Sequence, residues 1–239
     1  MSGERLKGRI ALITGASRGI GRAVAKAFAI EGAHVVLVGR TQGALEELDD
    51  EVRGLGGSAS LVPVDLSKFE QIDRIGAALF ERFGRLDVLV GNAGSLGMLA
   101  PVGHIGLEEW QEAIDVNLTA NYRLIRSLDP LLRLSEAGRA IFVTSGVTQG
   151  VFPFWGAYAA TKAGLEALVL TYAGEMRQTK VKVNLLDPGI VRTHLRATAF
   201  PGEASDKLPA PESVTEAFIK LAEASASWHG EILKAADLV

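Results

Sequence analysis

Short runs of β-branched and aliphatic residues alternate with longer segments of helical periodicity from one end of the chain to the other. The runs are RIALIT (9–14), HVVLVG (34–39), SASLVPV (58–64), LDVLVG (86–91), RAIFVT (139–144), VKVNLL (181–186) and GEILKA (230–235). They read as apolar on both faces, which a strand requires when helices cover its sheet on each side. Helices are expected near 19–31, 42–55, 68–83, 108–136, 157–178 and 212–224. In the second of these, Leu45, Leu48, Val52 and Leu55 recur at the spacing of a sheet-facing stripe, and Ser67 stands as an N-cap ahead of the third. The repeated strand–helix order predicts an α/β fold, a three-layer sandwich with a seven-stranded parallel sheet, in a single domain over 1–239. Residues 192–211 lack clear periodicity and are expected to form a substrate lid. The segment from Ala157 to Met176 is apolar on most sides, so it calls for burial all round, with a subunit interface as its expected home.

Composition narrows the chemistry. A chain of 239 residues with 48% hydrophobic and 22% charged residues can bury about 70% of its extended surface in one core. Without cysteine there is no disulfide framework, thiolate metal site, iron–sulfur cluster or thiol nucleophile. His34, His104, His194 and His229 are scattered singletons, so no metal site is expected. A formal charge of -3 gives no general attraction to nucleic acid or anionic lipid. No apolar run reaches membrane-spanning length, and the opening lacks a signal-peptide pattern. The expectation is a cytoplasmic protein with neither a nucleic-acid nor a membrane partner.

The first strand runs straight into Thr14-Gly15-Ala16-Ser17-Arg18-Gly19-Ile20-Gly21 and an alanine-rich helix. Glycines there let the backbone turn tightly and bring a pyrophosphate against free amides at the helix N-terminus, so a Rossmann-type dinucleotide site is the natural reading. The spacing, G-x-x-x-G-x-G, departs from the usual G-x-G-x-x-G, and a purely structural turn is the alternative. The second strand ends Val38-Gly39-Arg40-Thr41. No carboxylate stands there to bind a ribose 2′-hydroxyl, Gly39 leaves room, and Arg40 with Arg18 is able to clamp a 2′-phosphate; this favours NADP(H) over NAD(H). The competing view is that both arginines are solvated surface groups.

Tyr158 and Lys162 lie four residues apart in a predicted helix and share a face. A phenol of ordinary pKa about 10 must fall by about 3 pH units to work as acid and base near neutrality. An ammonium about 4 Å away supplies roughly that much at an effective dielectric of about 20. Ser145 follows the fifth strand at the carboxyl edge, where its hydroxyl can polarise a carbonyl; read locally, it is a turn residue.

Together these residues resemble the short-chain dehydrogenase/reductase family in its compact form. The likeness runs from about Lys7 to the last strand, through Thr14–Gly21, Asn92-Ala93-Gly94, Asn117, Ser145, Tyr158 with Lys162, and Pro188-Gly189 followed by Thr193. It implies an oxidoreductase interconverting carbonyl and alcohol, with Tyr158 as proton donor or base, Lys162 lowering its pKa and binding the nicotinamide ribose, and Ser145 orienting the carbonyl. Asn117 would bend a helix and hold a water leading from Lys162 to solvent. The implied cofactor site takes in Gly15, Ser17, Arg18, Gly19, Ile20 and Gly21, then Arg40, Asp65, Leu66, Asn92, Ala93 and Gly94, then Tyr158, Lys162, Pro188, Gly189, Ile190 and Thr193. Asp65 would meet the adenine amine and Thr193 the carboxamide, although each serves equally well as a helix or turn cap.

Two departures from the family stand out. Gly91 occupies a place where many relatives carry asparagine, which suggests looser packing there, and the tail lacks the ending that often supports a tetramer. A homodimer or homotetramer is expected. Met98, Leu99, Val147, Phe152, Phe154, Trp155, Leu195 and Phe200 fall in loops around the carboxyl edge and suggest an apolar pocket for a ketone or acyl chain, with core or subunit packing as the alternative for each. The glycine turn is similar to that of 3-oxoacyl-carrier-protein reductases, and Arg123, Arg126 and Arg133 offer themselves to an acidic carrier, or form a solvated face. A non-catalytic dinucleotide-binding regulator would have lost Ser145, Tyr158 or Lys162, and all three are present.

Overall fold

The computed structural model describes residues 3–239. All seven apolar runs form strands: β1 (Ile10–Thr14), β2 (His34–Gly39), β3 (Ser58–Pro63), β4 (Val88–Gly91), β5 (Arg139–Val143), β6 (Lys182–Asp187) and β7 (Ile232–Lys234). They pair in parallel in the order β3-β2-β1-β4-β5-β6-β7. Successive side chains leave opposite faces of a strand. Ile13, Val35, Leu37 and Ile141 enter one core beneath α1 (Gly19–Ile30), α2 (Gln42–Gly54) and α8 (Thr215–Ala222). Leu12, Val36, Leu89 and Phe142 enter the other beneath α3 (Phe69–Phe83), α5 (Ala120–Arg133) and α6 (Gly156–Met176). Two cores on two faces explain why the central strands are apolar throughout. The outermost strands β3 and β7 depart from that pattern, because an edge meets solvent and several of their residues are exposed.

The chain runs one way from β1 through β2 to β3 and then crosses back to β4 on the other side of β1. At that reversal a crevice opens between the carboxyl ends of β1 and β4, where open parallel sheets bind ligands.

Four local expectations are corrected. Leu55 lies past the end of α2 and is 44% exposed, since the helix stops before its stripe reaches it. Ser67 does not cap α3: Lys68 holds that place without a side-chain bond, and the Ser67 hydroxyl donates to Asp65 instead. The long helix expected over 108–136 is α4 (Leu107–Ile114), a π turn (Asp115–Thr119) and then α5. The segment 192–211 contains the short helix α7 (His194–Ala199). The chain itself covers α6 on one side only. Leu165, Val169 and Tyr172 are buried, while Ala160, Ala163, Ala167 and Leu170 face outward. No helix among the described residues is long and apolar enough to cross a membrane.

Candidate active site

The floor of the crevice is stapled by Thr14, the fully buried last residue of β1. Its hydroxyl donates to the Val90 carbonyl at 3.3 Å and accepts from the backbone N–H groups of Asn92 and Ala93, each at 3.0 Å. The Asn92 amide donates back to the Thr14 carbonyl at 2.9 Å, so this side chain ties the ends of β1 and β4 together. Above the staple, Gly15 and Gly19 take φ of 65° and 57°, a region that favours glycine. A Cβ on Gly21 would lie 2.3 Å from the Gly15 carbonyl oxygen, so α1 starts directly against the turn. Arg18, at the cap position of α1, makes no side-chain cap bond, and the first turn holds no acidic residue. Uncapped amides, the positive end of a helix and a turn without side chains fit a dinucleotide pyrophosphate.

Around the outer end of the crevice the picture is mixed. Arg18 and Arg40 are both exposed, at the start of α1 and just after β2. A Cβ at Gly39 would lie 3.1 Å from the Leu45 side chain and 3.6 Å from Ser17, so the glycine keeps this strand end close to both. Asp65 accepts from the Ser67 N–H and hydroxyl at 3.0 and 2.8 Å, the turn-cap alternative. Burial works to raise its pKa, but the Ser67 bonds and the nearby Arg40 charge hold it below the usual carboxylate value. Leu66 packs into the core, so its backbone alone faces the crevice; Ile190 is exposed, as is Gly189, at φ 70°.

The reacting side brings four predicted residues together. Asn117 lies in the π turn, fully buried, and its amide is saturated: Oδ1 accepts from Ser95 N–H at 2.8 Å, and Nδ2 donates to the Ser95 carbonyl at 2.8 Å and Thr161 Oγ1 at 3.0 Å. It thus pins the loop after β4 to α6. Tyr158 and Lys162 stand on the buried side of α6, and Lys162 Nζ donates to the Val143 carbonyl at 2.8 Å and lies 5.7 Å from the Tyr158 ring centre. A Cβ on Gly94 would be 3.3 Å from Asn117 Oδ1 and 3.8 Å from Lys162 Nζ, which puts the stretch after β4 within reach of both. Ser145 follows β5 and receives the Val147 N–H at 3.4 Å.

An apolar wall leans on Tyr158. Leu96 and Val147 are buried with it, and Leu99, Trp155 and Leu195 pack on that cluster. The Trp155 ring meets Tyr158 edge-on at 5.9 Å and Phe200 at 5.8 Å. Met98, Phe152 and Phe154, expected in the same pocket, point outward and are about half exposed. Segment 192–211 comes up to Gly19 and borders a half-open cavity of about 460 Å³ lined by Gly19, Arg192, Thr193, Arg196, Phe200 and Leu208. Thr193 caps α7 by accepting the Arg196 N–H at 3.2 Å.

A family model described as short chain dehydrogenase matches residues 9–204. The chain belongs to this family. Among its relatives, the oxidoreductase YciK of Escherichia coli is 35% identical over 91% of this chain and 87% of its own. A 3beta-hydroxysteroid dehydrogenase 1 of Eggerthella lenta is also 35% identical, over 94% and 90%. A short chain dehydrogenase structure from Shigella flexneri, complexed with NADP, superposes with a TM-score of 0.92 at 33% identity and covers 98% of this chain and 99% of that one. This protein is therefore an oxidoreductase enzyme that works with a nicotinamide dinucleotide on a small-molecule substrate.

In this short-chain dehydrogenase/reductase the electrostatics differ from the simple expectation for Tyr158. Burial pushes Tyr158 up to about 12, opposed by a hydrogen bond with Ser145 and reinforced by the Asp187 carboxylate. Burial likewise pushes Lys162 down to about 8, opposed by Glu166. Burial, and not the neighbouring lysine, sets the direction of the Tyr158 shift, and the amine turns to a carbonyl. Gly91 does not loosen the packing. A Cβ there would lie 2.5 Å from the Phe142 ring and 2.7 Å from Asn121 Oδ1, so these groups already fill the space. Arg123 pairs with Asp73 at 2.6 Å and Arg133 with Asp129 at 2.8 Å. Two of the three arginines offered to an acidic carrier are held by their own chain. Sequence reasoning missed Thr161, which follows the tyrosine and supports Asn117, and Glu166, Thr144 and Thr148 behind Ser145.

Proposed function

We propose that this dehydrogenase interconverts a carbonyl and an alcohol on a small, largely apolar substrate, with NADP(H) as its dinucleotide and Tyr158 as acid or base. What carries this reading is the burial of Tyr158, Lys162 and Asn117 around Ser145, at the carboxyl edge beside the glycine turn. The bound nicotinamide supplies the hydride in reduction and takes it up in oxidation. Tyr158, which burial keeps protonated at neutral pH, donates its proton to the oxygen as negative charge grows there. The Ser145 hydroxyl holds the same oxygen. Lys162 adds positive charge beneath the phenol, and Asn117 fixes the wall on which it stands. Gly15 to Gly21, Ala93, Gly94 and the stretch from Pro188 to Thr193 form the dinucleotide cradle. The domain acts as one unit with 192–211 closing over it, and the outward strip of α6 is where a second copy would pack.

The apolar wall on Tyr158 favours a hydrophobic ketone or alcohol, in keeping with the hydroxysteroid dehydrogenase among the relatives. A panel of ketones, diketones and 3-oxoacyl thioesters followed by NADPH absorbance tests this directly. Consumption with none of them, by protein that binds NADPH, would contradict it. NADP(H) is favoured because no acid stands at the end of β2 while Arg18 and Arg40 lie exposed nearby. Arg40→Asp is expected to weaken NADPH about a hundredfold and NADH less than about threefold in fluorescence titrations, since a carboxylate repels the 2′-phosphate alone. Equal loss of both would remove the preference.

The pH profile follows from Lys162. It carries its charge below about 8 and loses it above. Reduction is expected to hold through neutral pH and decline as pH rises past that value, read as kcat/KM from about pH 6 to about pH 10. A rate still level at the upper end would show that the lysine charge is not needed.

A further inference from the structure

We propose that Glu166 is a positioning residue of this site, which clamps Ser145 from both flanks and sets a negative charge one helical turn from Lys162. Glu166 follows Tyr158 and Lys162 on α6 in successive steps of four, so the three stack along one side of the helix. Its Oε1 accepts from Thr144 Oγ1 at 2.6 Å and from Thr148 Oγ1 at 2.9 Å. Thr144 immediately precedes Ser145, and Thr148 lies in the turn Gly146–Gln149 that follows it. The Thr148 hydroxyl also lies 3.0 Å from the Ser145 carbonyl oxygen. One carboxylate oxygen therefore gathers two hydroxyls from either side of Ser145 and fixes the path of the backbone between them.

The same carboxylate stands one helical turn from a buried amine. The Nζ of Lys162 has one carbonyl partner, and the negative charge of Glu166 opposes the tendency of burial to neutralise it. Other charged groups packed nearby are engaged elsewhere. On α6 itself stands Tyr158; from the end of β6, Asp187 acts on Tyr158. From α4 and the π turn, Glu112 receives Ser95 and Asp115 receives Gln111. The end of β5 and the turn after it contribute the uncharged Thr144, Ser145 and Thr148. A half-buried acid calls for partners, and here the partners are the flanks of the reacting serine.

This role rests on Tyr158 being the acid of the reaction, and the test separates the two. Glu166→Gln keeps the shape and both threonine bonds while removing the charge. The alkaline limb of kcat/KM for reduction is expected to move down by about one pH unit, because loss of a nearby anion lets the Tyr158–Lys162 pair shed its proton earlier. Glu166→Asp restores the charge and should return the limb. Glu166→Leu removes clamp and charge, and is expected to lose about thirtyfold in kcat with the limb shifted as in Gln. Thr148→Val should lower kcat with the limb in place. Thermal melting and NADPH fluorescence identify any variant that fails to fold, and the limb is read in either Gln or Leu. An unmoved limb in the folded variants overturns the charge role; full kcat in both Leu and Val overturns the clamp. Tyr158→Phe in the same assay distinguishes the failures: turnover surviving there sinks the acid, whereas turnover lost there with an unmoved limb sinks Glu166 alone.

Discussion

Replacing Tyr158 by phenylalanine is expected to remove turnover, by about a thousandfold or more, while NADPH binding stays within about threefold. The substitution deletes one oxygen from a 7% exposed side chain. The ring keeps its edge-on contact with Trp155 at 5.9 Å and its place against Leu96 and Val147, so the apolar wall stays in position. What disappears is the proton that burial retains at neutral pH. Without it, charge growing on the substrate oxygen meets the Ser145 hydroxyl alone. The measurement pairs NADPH consumption on the best ketone of the panel with a fluorescence titration of NADPH. Turnover within tenfold of the parent would move the acid to another group.

Gly21→Ala is expected to weaken NADPH by about a hundredfold and to lower stability by about 2 kcal/mol, roughly 4–8 °C in Tm. The added carbon would lie 2.3 Å from the Gly15 carbonyl oxygen and 2.6 Å from Asn92 Nδ2. The first is backbone and cannot step aside by changing rotamer, so α1 must move off the turn it starts against. The second belongs to the amide that ties β1 to β4 through Thr14, and so fold and cradle are strained together. Gly43→Ala is the control: it also lies near the start of a helix, but with nothing within 4 Å of the added carbon, and it should hold or gain up to about 1 kcal/mol. Equal behaviour of the two variants in melting and titration would show that the turn tolerates a side chain.

Strands were legible in this chain because two-sided burial leaves little choice of residue. A parallel strand such as Phe142-bearing β5 is buried at every position, and its run of apolar residues reads plainly. The reacting residues were legible too, because polar groups such as Ser145 and Asn92 break those runs where strands end. Harder to see was what each polar group does when tertiary neighbours compete for it. Nothing in the sequence announces that Asn92 ties itself to Thr14 or that Asp65 accepts from Ser67. Glu166 sits among alanines and leucines, where a lone acid reads as a solvated position; its partners come from a strand end 18 to 22 residues away. The direction of the Tyr158 shift depends on burial, which four-residue spacing does not encode. Helix α7 spans 6 residues, too few for a periodicity to emerge.

The π turn at Asp115–Thr119 sets a limit on how this chain can change length. Such a turn amounts to one residue inserted into a regular helix. Deleting a residue of this turn ahead of Asn117 would let α4 and α5 merge into one regular helix, yet would swing Asn117 about 100° around the axis relative to α4 and off Ser95 and Thr161. Loss of a residue is therefore forbidden there, although the same loss at an exposed bend such as Pro201–Gly202 removes no such anchor.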